Sequence, residues 1–354
     1  MSKDYLSEEL KSLNKKVEKT NLSSDLQERV LQMLDRLNRI TQSNTYSSEF
    51  DIISSYVNWL TQIPWHNKTS DNLSLENARK VLDKNHYGID PVKERVLEYI
   101  SVENLKIINK ESVVSTEKAL ILCLVGLQGL GKTTLAGSIA EALGRNFIRI
   151  SLGALGSVLE LRGKSKAHPA AEPGQIIKAL VRTGVSNPLI LLDEMDKVSG
   201  EQGLRSDIMA ALLEILDPEQ NTSFVDHFID YPVDLSGVLF IASANNIGTF
   251  SAALMDRLEI IRMPSYTDNE KEIIAKRYLL PKVMRQTALL ETQLLIQDEV
   301  WPKLIRPLGY DSGIRSLQRI MESICRKAAK IIVEKKVARV VVEEENFKSF
   351  LPIL

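Results

Sequence analysis

The sequence predicts an α/β fold: a parallel sheet flanked by helices, preceded by a helical arm and followed by a small α-helical lid. Three observations predict it. Residues 1–43 are highly charged and carry apolar residues at helical spacing. Between 120 and about 263, short apolar runs alternate with helical segments, which is the signature of a parallel sheet with helices on both faces. From 267 onward the periodicity becomes helical. The expected division is 1–110 for the arm and linker, 111–264 for the α/β nucleotide-binding domain and 265–354 for the lid.

In the arm, Leu6, Leu10, Leu13 and Val17 form one stripe, and Leu26, Val30, Met33, Leu37 and Ile40 form another. Asn21 to Ser24 separates them, so a helical hairpin or coiled segment is expected. A helix around Ile52–Leu60, a turn at Pro64 and Trp65, and helices over 74–84 and 91–109 follow. Strands are expected at Leu120–Val125, Phe147–Ser151, Leu189–Leu192, Gly237–Ala242 and Glu259–Met263. The helices between them fall at 132–143, 174–183 and 205–216. In the lid, one helix is expected from Thr267 to Met284, another from Asp298 to Arg306, and a third on the stripe Ile314, Leu317, Met321, Ile324, Ala328 and Ile331. A short β-like run, Arg339–Val342, closes the pattern.

Bulk composition narrows the function classes. With 45 basic and 46 acidic residues in 354, the net charge of -1 provides no footprint for nucleic acid or an anionic membrane. No run of 18 apolar residues offers a spanning helix, and the polar N-terminus has no apolar signal core. A cytoplasmic location fits these features. The two cysteines, Cys123 and Cys325, lie in apolar patterns without metal or disulfide spacing, so both are expected to be small buried hydrophobes.

The most informative segment is Gly126-Leu127-Gln128-Gly129-Leu130-Gly131-Lys132-Thr133, which fits the phosphate-loop pattern GxxxxGK followed by Ser or Thr. It follows an apolar strand and opens a helix, as that motif requires. Backbone N–H groups of such a loop turn toward phosphate oxygens, and the helix N-terminus favours negative charge. Lys132 is placed to reach β- and γ-phosphates and Thr133 to put its hydroxyl on Mg²⁺; Thr134 is counted with the nucleotide-binding residues. The loop alone does not separate ATP from GTP.

Further chemistry follows in sequence order. Leu189–Leu192 ends in Asp193 and Glu194. Ligands of open α/β sheets gather at strand carboxyl ends, so Asp193 is the candidate Mg²⁺ ligand and Glu194 the candidate general base. The run Val238–Ala244 ends in Asn245, which is suited to orient water or sense the γ-phosphate. Asp256-Arg257 ends the short helix SAALMDR. Arg257 is a permanent cation able to neutralise transition-state charge on a neighbouring subunit's nucleotide, and Arg315, which opens the last strong helix, is suited to do so in cis.

Together these residues resemble the AAA+ ATPase part of the Lon family of ATP-dependent proteases, over roughly residues 1–350. The segments HYGIDPVKERVLEYISV, SIAEALGRNFIRISLG, LLDEMDK, ALLEILDPEQNTSFVDHFIDYPVDLSGVLFIASAN and GIRSLQR carry the resemblance. It implies an arm, a P-loop AAA+ domain and a lid that assemble into a ring, usually a hexamer. It implies ATP and Mg²⁺ as cofactors, and unfolded or misfolded polypeptide as partner. Asn245 then resembles sensor 1, Arg257 the arginine finger and Arg315 sensor 2. His86, Tyr87, Gly88 and Ile89 resemble the segment near the adenine.

The chain also departs from the family pattern. The phosphate loop reads GLQGLGKT where the family has GPPGVGKT, with the phosphate-contacting positions kept. In the expected pore loop, Lys164 to Glu172, His168 and Pro169 fall where an aromatic and a second apolar residue usually grip polypeptide, which weakens the stacking surface. No serine–lysine peptidase dyad is assigned, so a peptidase domain on another chain is expected for proteolysis. The expected function is an ATP-driven polypeptide motor; the alternatives are a stand-alone regulatory or chaperone-like ring and a non-hydrolysing scaffold.

Overall fold

The computed structural model describes residues 3–42, 48–108, 121–168, 171–198, 202–306 and 313–352. Helices α1 (Lys3–Lys19), α2 (Ser24–Gln42) and α3 (Ser48–Gln62) open the chain, followed by α4 (Leu75–Asn85) and α5 (Asp90–Ile108). Strand β1 (Ile121–Val125) leads to α6 (Lys132–Leu143) and β2 (Phe147–Ser151). Next come α7 (Val158–Arg162), α8 (Gln175–Thr183), β3 (Leu189–Asp193) and α9 (Gln202–Ile215). A small hairpin of β4 (Phe224–Val225) and β5 (Pro232–Val233) precedes β6 (Leu239–Ala244), α10 (Ala252–Met255) and β7 (Leu258–Arg262). The remainder is α11 (Asp268–Ile274), α12 (Leu280–Gln286), β8 (Leu294–Ile296), α13 (Trp301–Ile305), α14 (Arg315–Lys335), β9 (Val340–Val342) and α15 (Phe347–Phe350).

The five expected strands form one sheet in the order β2-β3-β6-β1-β7. β3 pairs in parallel with β2 and β6, with Ser151 opposite Asp193 at one seam and Leu192 opposite Ala242 at the other. All five residues of β3 are buried, as expected of a central strand covered on both faces.

By packing, the chain divides into two compact units: Met1–Asn72, Asn109–Cys123 and Ala140–Ile260 in the first, and Leu73–Ile108, Leu124–Ile139 and Ile261–Leu354 in the second. In the first unit, α1, α2 and α3 pack on one another through Leu13, Val17, Leu26, Val30, Leu34, Leu37, Val57 and Leu60, all nearly inaccessible. Leu34, rather than the expected Met33, is the buried α2 residue between Val30 and Leu37; Met33 is half-buried and the Ile40 side chain lies outside the described residues. The arm meets the β4–β5 turn: Arg29 pairs with Asp230 at 2.7 Å and the Tyr56 hydroxyl donates to the Ile229 carbonyl at 3.0 Å.

Asp226, in that hairpin, is fully buried. Its carboxylate accepts the N–H groups of Gly174, Phe228 and Ile229 at 2.7, 2.8 and 3.1 Å. Burial pushes its carboxyl above the ordinary range, and the three donors oppose that push. The Gly174 bond fixes the chain just after the Lys164–Glu172 loop, whose two ends meet where the Lys164 N–H donates to the Glu172 carbonyl at 3.0 Å.

In the second unit, α14 buries Leu317, Met321, Ile324, Cys325 and Ala328, as its stripe predicts, while Ile314 and Ile331 are half-buried. Cys123 and Cys325 are both buried, and neither is in a disulfide. The expected helix from Thr267 to Met284 is helical without interruption from Asp268 to Gln286, with a π turn, Ala275–Leu279, inside it, in which the Leu280 N–H reaches back to the Ala275 carbonyl. Pro281, just after it, accounts for the irregular turn, since it has no N–H to donate to the preceding turn. Thr267 and Glu270 start α11 with a reciprocal capping box. The closing β-like run pairs in parallel with β8, which the sequence pattern does not reveal, and α15 follows it, burying Phe347 and Phe350. No helix among the described residues is long and apolar enough to cross a membrane.

Replacing Asp226 with Ala strands three buried N–H donors, and each unsatisfied buried group costs about 1–3 kcal/mol. Asp226→Ala is therefore expected to lower the unfolding free energy by about 3 kcal/mol or more, measured in urea melts; an unchanged midpoint would show that the carboxylate is not holding this turn.

Candidate functional site

In the second unit, β1 runs into a glycine loop and α6 begins at Lys132. Gly129 and Gly131 have φ of +81° and +89°. A Cβ disfavours that backbone, so glycine is what allows the loop to fold over the helix N-terminus. The Lys132 ammonium donates to the Gly126 and Leu127 carbonyls at 2.5 and 3.0 Å, lying against the loop's own backbone. The Thr134 hydroxyl donates to the Gly131 carbonyl at 2.8 Å, and Thr133 is half-buried beside it in the first turn of α6. That turn offers N–H donors and the positive end of the helix dipole.

The loop is braced by the later chain, through one side chain and one backbone group. The Tyr266 hydroxyl donates to the Leu130 carbonyl at 3.2 Å; burial raises its pKa, with Glu270 adding to the shift, so it stays a donor. The Ile314 N–H donates to the Gly129 carbonyl at 3.1 Å. Gly313 lies so close that a Cβ there would sit 2.6 Å from the Gln128 carbonyl oxygen. Arg315 follows at once, its Cγ 3.3 Å from where a Cβ on Gly129 would be. Arg315, expected to act on the nucleotide, is thus seated on the phosphate loop.

His86 ends α4, with Nε2 at 2.9 Å from the Ser138 hydroxyl of α6. Burial, and then the Lys93 charge, push its pKa down to about 4, so the ring is neutral at pH 7. Tyr87 and Gly88 follow, and Ile89 at φ +50° sends the chain into α5, its carbonyl accepting from the Val92 and Lys93 N–H groups.

In the first unit, Asp193 ends β3 and is 4% exposed. The Arg149 guanidinium meets one oxygen at 2.5 Å and the Ser243 hydroxyl donates to the other. Ser243 also accepts the Glu194 N–H at 3.2 Å, so one buried hydroxyl joins both acidic residues. Glu194 adopts φ +62°, uncommon for a residue with a side chain. Its carboxylate pairs with Lys197 at 2.6 Å. Asn245 directly follows β6 and is half-buried, and the next residue's N–H donates to Asp196 at 3.3 Å.

Arg257 is held at the C-terminal end of α9, where it pairs with Asp217 at 2.6 Å and donates to the Leu213 carbonyl. His168 is exposed in a turn, its N–H donating to Ser165 and its carbonyl accepting from Ala171. Pro169 lies outside the described residues. Lys166, in the same loop, stands 4.1 Å over the Tyr56 ring and 3.6 Å from Asp230.

Sequence reasoning missed Arg149, Ser243, Lys197, Tyr266, Gly313 and Asp217. Ser243 had a signal, as a lone hydroxyl in an apolar strand needs a partner once buried. Lys197 is only three residues from its partner Glu194; the others depend on contacts between distant segments.

The sequence profile of the ATPase family associated with various cellular activities (AAA) matches residues 122–266. That of the Lon protease AAA+ ATPase lid domain matches residues 285–341. The chain is an AAA+ ATPase module of the Lon family. It is 43% identical over 343 residues to Lon protease 1 of Bacillus subtilis, covering 97% of this chain and 43% of that protein. It is 40% identical over 351 residues to a Lon protease of Buchnera aphidicola, covering 99% and 43%. It is 39% identical over 347 residues to that of Haemophilus influenzae, covering 98% and 42%. The chain therefore spans about two fifths of the length of the curated relatives it matches.

Two outcomes follow from this geometry. Gly313→Ala is expected to push Arg315 off the phosphate loop and weaken ATP affinity about tenfold, roughly 1.4 kcal/mol. Equilibrium nucleotide binding would reveal it, and unchanged affinity would mean that the 313–315 contact plays no part in binding. For His86, the folded pKa of about 4 lies below the usual 6.5. The fold favours the neutral ring, so this contribution is complete above pH 6.5 and lost as pH falls toward 4, by roughly 3 kcal/mol. His86→Gln is expected to flatten that part of the stability–pH curve.

Proposed function

We propose that this Lon-family ATPase is the motor portion of an ATP-dependent proteolytic ring, an engine that unfolds and translocates polypeptide. The observation that carries the reading is the acidic pair at the end of a fully buried strand, where Ser243 joins Asp193 to Glu194 in a chain that aligns with Lon proteases over almost its whole length. In this reading Lys132 and the backbone of Gly126–Thr134 hold the β- and γ-phosphates, and His86 to Ile89 border the adenine. Glu194 takes a proton from the attacking water while Asn245 orients it. Arg315 acts on the same nucleotide, and Arg257 on that of the neighbouring subunit.

The donor chemistry suits Mg²⁺. Among the described residues no group of three or more His, Cys, Asp and Glu side chains forms a protein-only metal cage. Mg²⁺ is commonly held by one or two oxygen ligands with substrate phosphates completing its shell, and Thr133 and Asp193 supply a hydroxyl and a carboxylate. When bound, the ion neutralises charge between phosphate oxygens.

Polypeptide contact falls to the Lys164–Glu172 loop, with His168 and Pro169 in place of a stacking pair. We place the ring, a hexamer by family likeness, in the cytoplasm, delivering unfolded polypeptide to a peptidase domain. One observation favours a second reading, a regulatory or chaperone-like ring without threading. Lys166 ties the loop to Tyr56 and Asp230, and the loop's exposed tip carries a histidine instead of an aromatic grip.

Mg²⁺-dependent ATP turnover, followed against protein concentration with and without an unfolded protein, tests both. Turnover per chain should rise with concentration as neighbours meet and fall at least about 100-fold in Glu194→Gln. Stimulation by unfolded protein supports the motor; turnover indifferent to it supports the switch. ATP binding without turnover would sink the hydrolytic reading.

A further inference from the structure

Arg257 has a second, unanticipated feature: the way its guanidinium is gripped. Its Nη2 meets Asp217 Oδ2 at 2.6 Å and its Nη1 donates to the Leu213 carbonyl in the last turn of α9. Helix C-termini carry negative partial charge, so the carbonyl and the carboxylate attract the cation together. Asp217 is itself fixed, accepting the Glu219 N–H at 3.0 Å and the Gln220 side-chain amide at 2.9 Å. Burial pushes its carboxyl up, but those two donors and Arg257 outweigh it and hold it below the usual carboxylate range. The Arg257 backbone is also anchored, its carbonyl accepting the Ile121 N–H at 3.0 Å and its N–H donating to Leu254 at 3.1 Å.

The two side chains are only 19% and 13% exposed, so this is not a freely solvated surface pair. An arginine carries five N–H donors. Among the described residues its side chain bonds only to Asp217 and Leu213, leaving its other donors uncommitted. An arginine serving only to close α9 would be expected to spend its donors within the fold. This one is fastened by its two terminal nitrogens, with donors in hand for a planar oxygen ligand such as a phosphate.

We propose that Asp217 is the positioning residue for Arg257: together with the Leu213 carbonyl it fixes the guanidinium so that the remaining donors meet the γ-phosphate of a nucleotide bound to a second copy of this chain. The inference rests on the trans role of Arg257 proposed above. Such positioning matters because catalytic contacts lose force when displaced by even 1 Å.

The test compares Arg257→Ala, Asp217→Asn, Asp217→Glu and the Arg257→Ala/Asp217→Asn double variant in the full chain. ATP kcat and KM, binding of a fluorescent ATP analogue, and assembly by sedimentation are measured for each. Arg257→Ala is expected to lower kcat about 10³-fold. Asp217→Asn should lower it about 10–100-fold while KM, analogue affinity and assembly stay unchanged, because only the aim of the guanidinium is lost. Asp217→Glu, which keeps the charge one methylene away, should fall between, and it carries the test should the Asn variant fail to fold. In the Arg257→Ala background, Asp217→Asn should change kcat less than about twofold, since coupled residues are not additive. If Arg257→Ala abolishes turnover while both Asp217 variants keep wild-type kcat, the positioning role is wrong and the trans role stands. If Arg257→Ala itself retains full turnover, the trans role fails. An equal loss from Asp217→Asn in both backgrounds would show that Asp217 acts through the fold, which also overturns the proposal.

Discussion

A carboxylate that is 4% exposed at the end of a wholly buried strand has to be paired. Asp193 meets that requirement with the Arg149 guanidinium on one oxygen and the Ser243 hydroxyl on the other. The two partners come from the strands flanking β3, so the parallel register of β2, β3 and β6 is itself part of the charge balance. Ser243 extends the arrangement by receiving the Glu194 N–H, which fixes the turn that gives Glu194 its left-handed backbone. The direction of the second carboxylate is thereby set by the pairing of the first. A weaker sheet would leave neither acid with a defined orientation.

The phosphate loop faces a different constraint. Its backbone must turn its N–H groups toward an anion while its carbonyls find donors elsewhere. The Tyr266 hydroxyl and the Ile314 N–H supply two of those donors, and Lys132 supplies others. Because one brace is the backbone just ahead of α14, Arg315 arrives at the loop by covalent continuity. The contact requires glycine on both sides, at 129 for its backbone angle and at 313 for its lack of volume. Side-chain chemistry alone would not have predicted the second.

The Lys164–Glu172 loop shows a third arrangement. Asp226 holds the segment that follows it from within the fold, and Lys166 reaches Tyr56 of the arm through a cation–aromatic contact and Asp230 of the β4–β5 turn through an ion pair. Burial lowers the Lys166 ammonium's pKa, with Asp230 resisting that shift and Arg29 adding to it. The arm is thus more than a packing spacer: the side chains that receive Lys166 are Tyr56 on α3 and Asp230, which Arg29 of α2 grips.

Much of this was legible in the linear sequence because it is written in local terms. The phosphate loop is eight consecutive residues, β3 is an apolar run ending in acids, and the α14 stripe follows the helical period. Each needs only neighbouring side chains and backbone preference. What the sequence could not settle were the contacts that cross large separations. The π turn ahead of Pro281 was foreseeable from proline's missing donor, but the pairing of β8 with β9 joins segments that carry no mark of one another. Likewise, Arg257 and Asp193 announce their charges in the sequence and keep their partners hidden. Only the folded chain brings Asp217 to the one and Arg149 with Ser243 to the other, because burial makes an unpaired charge costly and the available partners are set by which strands and helix ends meet.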